Sequence, residues 1–104
     1  MDIEPLELKE KLDRKEECLL LDVREAWEFE QARIPGSVLA TQEMVEEMIN
    51  AGAFDRPIIT ICHHGVRSAA AATWLRARGF RQVRSLAGGV DRWAAEVAPA
   101  IGRY

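Results

Sequence analysis

The chain has 104 residues, of which 48% are hydrophobic and 30% charged, and its net charge is -3. This length suits one core, and we predict a single domain over residues 1–104. The weak negative charge gives no indication of nucleic acid or an acidic membrane surface as a partner, so we predict neither. No apolar run reaches the ~20 residues of a membrane span, and the acidic amino terminus does not resemble a signal peptide. We therefore expect a cytoplasmic protein whose two cysteines stay reduced.

The first half of the chain alternates helices with apolar strands. Pro5 suits the first turn of a helix that extends to about Asp13. The run CLLLDV at 18–23 is apolar except for one aspartate, which is typical of a strand buried on both faces. Three shorter elements follow: a helix at 25–31, a strand at 37–39, and a helix that begins after Thr41 as its N-cap and ends near Gly52.

The second half repeats this alternation. The run PIITI at 57–61 is apolar and β-branched, as in a buried strand. After a short loop, an Ala-rich helix is predicted from about Ser68 to Arg78, with Gly79 closing it. The last elements are a strand at 82–85 and a helix at 90–97, before Pro99. Together these elements predict an α/β fold, with a parallel sheet and helices on both faces.

The loop CHHGVRS lies between a buried strand and a helix, where parallel sheets hold their reactive groups. Gly65 permits a tight turn, in which backbone N–H groups and the helix N-terminus form an anion-binding nest. A thiol held there is driven toward its reactive thiolate. Arg67 adds a cation that can bind an oxyanion with two hydrogen bonds. We therefore assign Cys62 as the catalytic nucleophile and predict that the rest of the loop binds the substrate: His63, His64, Gly65, Val66, Arg67 and Ser68.

The remaining cysteine and the two histidines have simpler interpretations. Cys18 begins an apolar strand with no glycine, cation or helix start beside it, so we interpret it as structural, with a resolving thiol as the alternative. His63 and His64 are adjacent, so we expect their side chains to diverge, and no further His or Cys pattern completes a zinc site. We predict no metal and no cofactor. The histidines are expected to shape the mouth of the loop and attract anionic donors.

A charged cluster surrounds the end of the first buried strand, formed by Asp22, Arg24 and Glu28. These side chains fit two interpretations. The first is a set of ordinary surface salt bridges. The second, which we prefer, is support of the reactive loop, in which Asp22 or Glu28 braces an arginine beside it.

Three blocks of sequence, in order along nearly the whole chain, carry a family resemblance. They are CLLLDVREAWEFEQARIPGS at 18–37, CHHGVRS at 62–68, and a closing pattern of Gly79-Phe80, Val83, Leu86, Gly88-Gly89 and Trp93. Together they resemble the rhodanese-like domain family, most closely its small stand-alone members. Two positions depart from the family pattern: Arg33 stands where members usually have His, and Ile61 where they often have Tyr. The resemblance implies a rhodanese-like fold with five parallel strands, and a cysteine at position 62 that cycles through a persulfide.

The loop and the resemblance together indicate a sulfurtransferase of the thiosulfate sulfurtransferase (rhodanese) type. In this scheme Cys62 takes a sulfane sulfur from a small anionic donor such as thiosulfate, and a thiol, cyanide or a protein then accepts it. One alternative is a carrier that passes persulfide between proteins, as part of a sulfur relay for cofactor or thiocarboxylate assembly. Another is a rhodanese-like phosphatase or arsenate reductase. The loop disfavours this second alternative, because four residues separate Cys62 from Arg67, whereas cysteine phosphatases have five and a wider cradle.

Overall fold

The computed structural model of the protein describes residues 1–98, in which five parallel strands form one sheet. The strands are β1 (Asp2–Ile3), β2 (Leu19–Asp22), β3 (Val38–Leu39), β4 (Ile58–Ile61) and β5 (Val83–Leu86). Between and after them lie the helices α1 (Pro5–Asp13), α2 (Ala26–Gln31), α3 (Gln42–Asn50), α4 (Val66–Ala77) and α5 (Gly89–Glu96). The strand order is β1-β5-β4-β2-β3. The predicted α/β fold with a five-stranded parallel sheet is confirmed.

The two inner strands explain the strongest sequence signals. Every residue of β2 and β4 is buried, because helices cover both faces of a parallel sheet and leave no polar side. The register pairs Asp22 with Ile61, the last residues of the two strands. The Val23 N–H then donates to the Ile61 carbonyl oxygen at 2.8 Å. The chain leaving β2 therefore runs beside the chain leaving β4, at one edge of the sheet.

Alternate residues of the strands supply two separate cores, one on each face. On one face, Leu20, Ile59 and Ile61 pack with residues of α1 and α5, including Leu8 and Trp93. On the other face, different residues of the same strands pack with α3 and α4; this cluster includes Leu19, Leu21, Ile58, Met48, Ala72 and Leu75. The prediction of helices on both faces is confirmed. Among residues 1–98, no helix has the length and apolar character that a bilayer crossing needs.

The structure also corrects some of the predicted boundaries. β1 was not predicted, since a two-residue strand has no periodicity to detect. α4 begins at Val66 rather than Ser68, because Gly65, in the left-handed region at φ 100°, is its N-cap. β5 extends to Leu86, one residue beyond the predicted end. The last helix ends at Glu96, and Pro99 lies outside the described residues.

Candidate active site

The Cys62 thiol lies directly after β4, at the carboxyl edge of the sheet. Only 1% of the residue is exposed. The Gly65 N–H donates to Cys62 Sγ at 3.0 Å, and the hydroxyl oxygen of Ser68 lies 3.3 Å from the same sulfur. An N–H group and a hydroxyl are both able to donate to an anionic sulfur. The site therefore offers polar contacts to Sγ from the loop and from the first turn of α4.

Gly65 allows the loop to turn sharply enough to place its N–H on the sulfur. Its φ of 100° lies in the left-handed region, where a residue with a Cβ is strained. A Cβ at this position would lie 3.1 Å from the Gly88 nitrogen and 3.5 Å from the Leu86 carbonyl oxygen. The loop thus packs closely against the segment that connects β5 to α5, and glycine satisfies both the conformation and the space.

The N-terminus of α5 holds the backbone of the Cys62 loop. The Val90 N–H donates to the Cys62 carbonyl oxygen at 2.8 Å, and the Asp91 N–H donates to that of His63 at 3.1 Å. Gly89 makes this approach possible, because a Cβ there would lie 2.2 Å from the Cys62 oxygen and 2.4 Å from the His63 oxygen. This role of Gly89 is not among the predictions from the sequence. The available signal was a pair of glycines at the start of a helix, which is typical of a close backbone approach.

Arg67 forms a two-point ion pair with Glu28 of α2. Its Nη1 lies 2.7 Å from Oε1, and its Nη2 lies 2.9 Å from Oε2. The Glu28 side chain is only 6% exposed, whereas that of Arg67 is 47% exposed. The same carboxylate accepts the Glu25 N–H at 3.0 Å in a capping box. The ion pair therefore joins the start of α4 to the start of α2.

Asp22 and Arg24 form a second ion pair, and both side chains are 0% exposed. Arg24 Nη2 lies 2.7 Å from Asp22 Oδ2, and Nε lies 2.9 Å from Oδ1. The guanidinium also donates to the carbonyl oxygens of Glu28 and Ala32, at 3.3 and 2.6 Å. These contacts fix the end of β2 to α2. The interpretation of this cluster as exposed surface salt bridges is wrong, because the carboxylates and Arg24 are buried.

His63 and His64 do not diverge as predicted. Their rings stack with centroids 4.0 Å apart and an interplanar angle of 12°. Side chains alternate in an extended strand, but the chain turns after Cys62 and brings the two rings together. Burial lowers the pKa of His63, and the neighbouring His64 lowers it further. His64 Nδ1 lies 3.9 Å from the carboxylate of Asp91. In residues 1–98 no cluster of three or more His, Cys, Asp or Glu side chains is arranged to hold a metal ion.

Cys18 lies at the opposite edge of the sheet, just before β2. It is half-buried, and it packs against the core beneath α1 and α5. It also lines a groove of about 370 Å³ with charged residues that include Lys11, Arg76 and Arg84. Burial raises the pKa of the Cys18 thiol. The structure therefore separates the two cysteines, one at each edge of the sheet.

The fold and the site together define a class of protein. It is an α/β domain with a parallel sheet, in which a thiol lies in a glycine-containing loop directly before a helix. Residues 4–96 match the family described as Rhodanese-like domain. The chain belongs to this family.

Named relatives and solved structures agree with this assignment. The thiosulfate sulfurtransferase GlpE of Pseudoalteromonas translucida is 34% identical over 89 residues, which are 86% of this chain and 85% of that protein. The putative sulfur carrier protein YrkF of Bacillus subtilis is 39% identical over 85 residues, which are 82% of this chain and 46% of YrkF. The crystal structure of a rhodanese-related protein from Thermoplasma volcanium superposes with a TM-score of 0.76 at 30% identity, over 94% of each chain.

Proposed function

We propose that the protein is a sulfurtransferase that carries one sulfane sulfur as a persulfide on Cys62, with thiosulfate as a donor. The observation that carries this proposal is the setting of Cys62 Sγ, which contacts the Gly65 N–H at 3.0 Å in a loop that opens directly into α4. The similarity to proteins named thiosulfate sulfurtransferase supports the same reaction.

The first half-reaction loads the cysteine. The Cys62 thiolate attacks the outer sulfur of thiosulfate, and the sulfur–sulfur bond of the donor breaks with its electron pair on the departing sulfite. The product is a persulfide whose outer sulfur carries the negative charge. N–H groups of the loop from His63 to Ser68, together with the N-terminus of α4, stabilise that charge.

The second half-reaction discharges the persulfide. A nucleophilic acceptor attacks the outer sulfur, and the bond between the outer sulfur and Cys62 Sγ breaks. The electron pair stays on Sγ, so the thiolate is regenerated for the next cycle. Cyanide, a thiol or a partner protein of a sulfur relay are acceptors of the required chemistry. We place this cycle in the cytoplasm, where a reducing environment keeps both cysteines as thiols.

The charged residues around the loop have supporting roles in this proposal. Arg67 is held by Glu28 through both terminal nitrogens, and about half of its side chain is exposed. It therefore braces the start of α4 while its exposed edge attracts an anionic donor. The buried Asp22–Arg24 pair fixes α2, from which Glu28 reaches the loop. His63 and His64, whose rings stack, shape the mouth of the loop in this proposal.

A phosphatase or arsenate reductase fits the site less well. Only four residues separate Cys62 from Arg67, which narrows the ring of N–H groups around a bound group. Phosphoryl transfer to cysteine also calls for a general acid that protonates the leaving oxygen. The carboxylates of Asp22 and Glu28 are buried and bound to Arg24 and Arg67 respectively. Neither carboxylate is available to a substrate without the loss of an ion pair.

A protein-to-protein persulfide carrier is a second candidate, favoured by the similarity to a protein named as a putative sulfur carrier. A carrier for cofactor or thiocarboxylate assembly would use the same Cys62 persulfide. A carrier would turn over little with small-molecule acceptors such as cyanide, since its acceptor is a protein. Stoichiometric loading by thiosulfate with negligible turnover on cyanide would favour the carrier over the enzyme.

The test is a side-by-side assay of thiosulfate with cyanide, of p-nitrophenyl phosphate, and of arsenate, using wild type and Cys62→Ser. We expect thiocyanate formation by the wild type alone and no Cys62-dependent phosphate release or arsenate reduction. Phosphate release or arsenate reduction that depends on Cys62 and exceeds thiosulfate turnover would overturn the proposal.

A further inference from the structure

Two buried hydroxyl groups form a short chain behind the reactive thiol. Ser68 Oγ lies 3.3 Å from Cys62 Sγ and 2.7 Å from Ser85 Oγ. Ser68 is 0% exposed and Ser85 is 1% exposed. Ser68 comes from the first turn of α4 and Ser85 from β5. The fold therefore places a hydrogen-bonded pair of buried hydroxyls next to the sulfur.

The direction of the hydrogen bonds in this chain depends on the state of the sulfur. A hydroxyl has one hydrogen to donate and two lone pairs that accept. When Cys62 is a thiol, its S–H donates to Ser68 Oγ, and the Ser68 hydroxyl donates to the Gly65 carbonyl oxygen at 3.3 Å. A thiolate has no hydrogen to donate. The Ser68 hydroxyl then donates to Sγ, and the Ser85 hydroxyl donates to Ser68 Oγ.

The charge on Sγ changes in opposite senses in the two half-reactions. In the persulfide, Sγ is bonded to two atoms and the outer sulfur is the anion. During discharge the sulfur–sulfur bond breaks and negative charge develops on Sγ, so a hydrogen bond to Sγ strengthens in the transition state. During loading an electron pair of Sγ becomes the bond to the outer sulfur and the electron pair of the donor bond leaves with sulfite, so Sγ loses its negative charge and the same hydrogen bond weakens.

We propose that Ser68 is a catalytic residue of the second half-reaction, in which its hydroxyl stabilises Cys62 as the leaving thiolate. Ser85 is a positioning residue, which acts by donating to Ser68 and so strengthening the Ser68 donor. This inference rests on the proposed persulfide cycle and assigns the two hydroxyls to one half of it. Acceptors of every class benefit equally, because the stabilised group belongs to the protein.

The two half-reactions are measured separately in single-turnover experiments. The protein is loaded with thiosulfate, freed of excess donor and mixed with cyanide, and the persulfide is followed by rapid quenching and intact mass spectrometry. Loading is measured where its rate no longer rises with pH. Ser68→Ala is expected to slow discharge by about ten- to a hundredfold, the worth of a hydrogen bond to a charged group. Its loading rate is expected to stay unchanged or to rise.

Two further variants separate a role in catalysis from a role in packing. Ser85→Ala is expected to slow discharge by about two- to fourfold, and the double variant Ser68→Ala/Ser85→Ala by no more than Ser68→Ala alone, because Ser85 acts through Ser68. Thr60→Val is the matched control. Its hydroxyl is also buried and donates to the Ser68 carbonyl oxygen at 2.8 Å. Its loss is expected to lower stability without changing the ratio of discharge to loading.

Each outcome has one meaning. Equal slowing of loading and discharge in Ser68→Ala, or an unchanged discharge rate, would overturn the assignment of Ser68. If Ser68→Ala does not fold by circular dichroism, Ser85→Ala decides the matter, and an unchanged ratio of the two rates in that variant overturns the inference. A wild-type protein that takes no sulfur from thiosulfate would instead contradict the proposed function itself.

Discussion

The two cysteines lie at opposite edges of the same sheet, in very different surroundings. Cys62 follows β4, and its sulfur contacts the Gly65 N–H and the Ser68 hydroxyl. Cys18 precedes β2, and within residues 1–98 no hydrogen bond to its sulfur is formed. Burial raises the pKa of the Cys18 thiol, because an apolar setting disfavours the charged form. Cys62 is the more deeply buried of the two, yet its sulfur has polar partners in that buried position.

The comparison shows that direction along a strand decides what a cysteine meets. At the carboxyl edge of a parallel sheet, the chain enters a helix N-terminus, where N–H groups are unpaired and available to an anion. At the amino edge, the chain arrives from a helix C-terminus, and Cys18 meets the end of α1 and the core instead. The same residue type therefore contacts hydrogen-bond donors at one edge of the sheet and packs against the core at the other.

The largest expected effect tests the two cysteines directly. Cys62→Ser should reduce thiosulfate–cyanide turnover to background, because a hydroxyl replaces the nucleophile. Its far-ultraviolet circular dichroism should stay that of the wild type. Cys18→Ser should retain turnover. A polar hydroxyl then replaces a half-buried sulfur, so any loss of activity should be accompanied by a lower melting temperature. A well-folded Cys18→Ser variant without activity would reverse the assignment of the two residues.

The second effect tests the support of the Cys62 loop by α5. Gly89→Ala places a Cβ against the Cys62 and His63 carbonyl oxygens, so we expect a loss of more than about 3 kcal/mol in unfolding free energy and of most activity. Gly52→Ala is the matched control. Gly52 has a similar φ of 68°, but nothing lies within 4 Å of its Cβ position. Gly52→Ala should lower the free energy of unfolding by only about 1–2 kcal/mol and leave activity unchanged. Similar losses in chemical denaturation for the two variants would show that α5 does not hold the loop.

The third effect separates the two contributions of Arg67. Arg67→Ala removes both the brace and the cation, and kcat/KM for thiosulfate should fall by about ten- to a hundredfold. Glu28→Gln weakens the brace but keeps the cation, so a smaller fall is expected. Arg67→Ala should lower kcat/KM less for an uncharged persulfide donor than for thiosulfate. If Arg67→Ala lowers kcat/KM by the same factor for both donors, the residue supports the loop without attracting the donor.

The smallest effect concerns the pH dependence of stability near the site. Because burial lowers the pKa of His63, the unfolded chain binds its proton at a higher pH than the folded protein does. Stability should therefore fall as the pH drops below about 6.5, the usual value for histidine. His63→Gln should make this fall shallower in urea titrations at several pH values. His64→Gln should make the fall in stability shallower to a smaller extent, because burial, the larger cause of the lowered pKa of His63, remains. An unchanged pH dependence in His63→Gln would contradict the burial of His63 as its cause.

Much of the fold followed from local sequence. β2 and β4 are detectable because every residue of each is buried, which leaves continuous apolar runs. The N-cap of α3 is also local, since Thr41 Oγ1 accepts the Met44 N–H at 3.1 Å. The predicted start of α4 is two residues late because its N-cap is Gly65, which has no side chain to signal a cap.

The surroundings of Cys62 were harder to predict, because they are tertiary contacts. The sequence predicts that a carboxylate braces an arginine, but only the fold shows that Glu28 contacts Arg67, 39 residues later. A serine within a strand gives no sign that its hydroxyl faces a helix, so the Ser68–Ser85 contact had no sequence signal. The stacking of the two histidine rings likewise depends on the turn.

The most direct test of the account is to locate the transferred sulfur. Wild type, Cys18→Ser and Cys62→Ser are treated with thiosulfate, and intact mass spectrometry is followed by peptide mapping under conditions that preserve persulfides. We expect wild type and Cys18→Ser to gain the mass of one sulfur atom, on the peptide that contains Cys62, and Cys62→Ser to gain none. Sulfur on Cys18, or a Cys62→Ser protein that still loads, would contradict the central claim that Cys62 carries the persulfide.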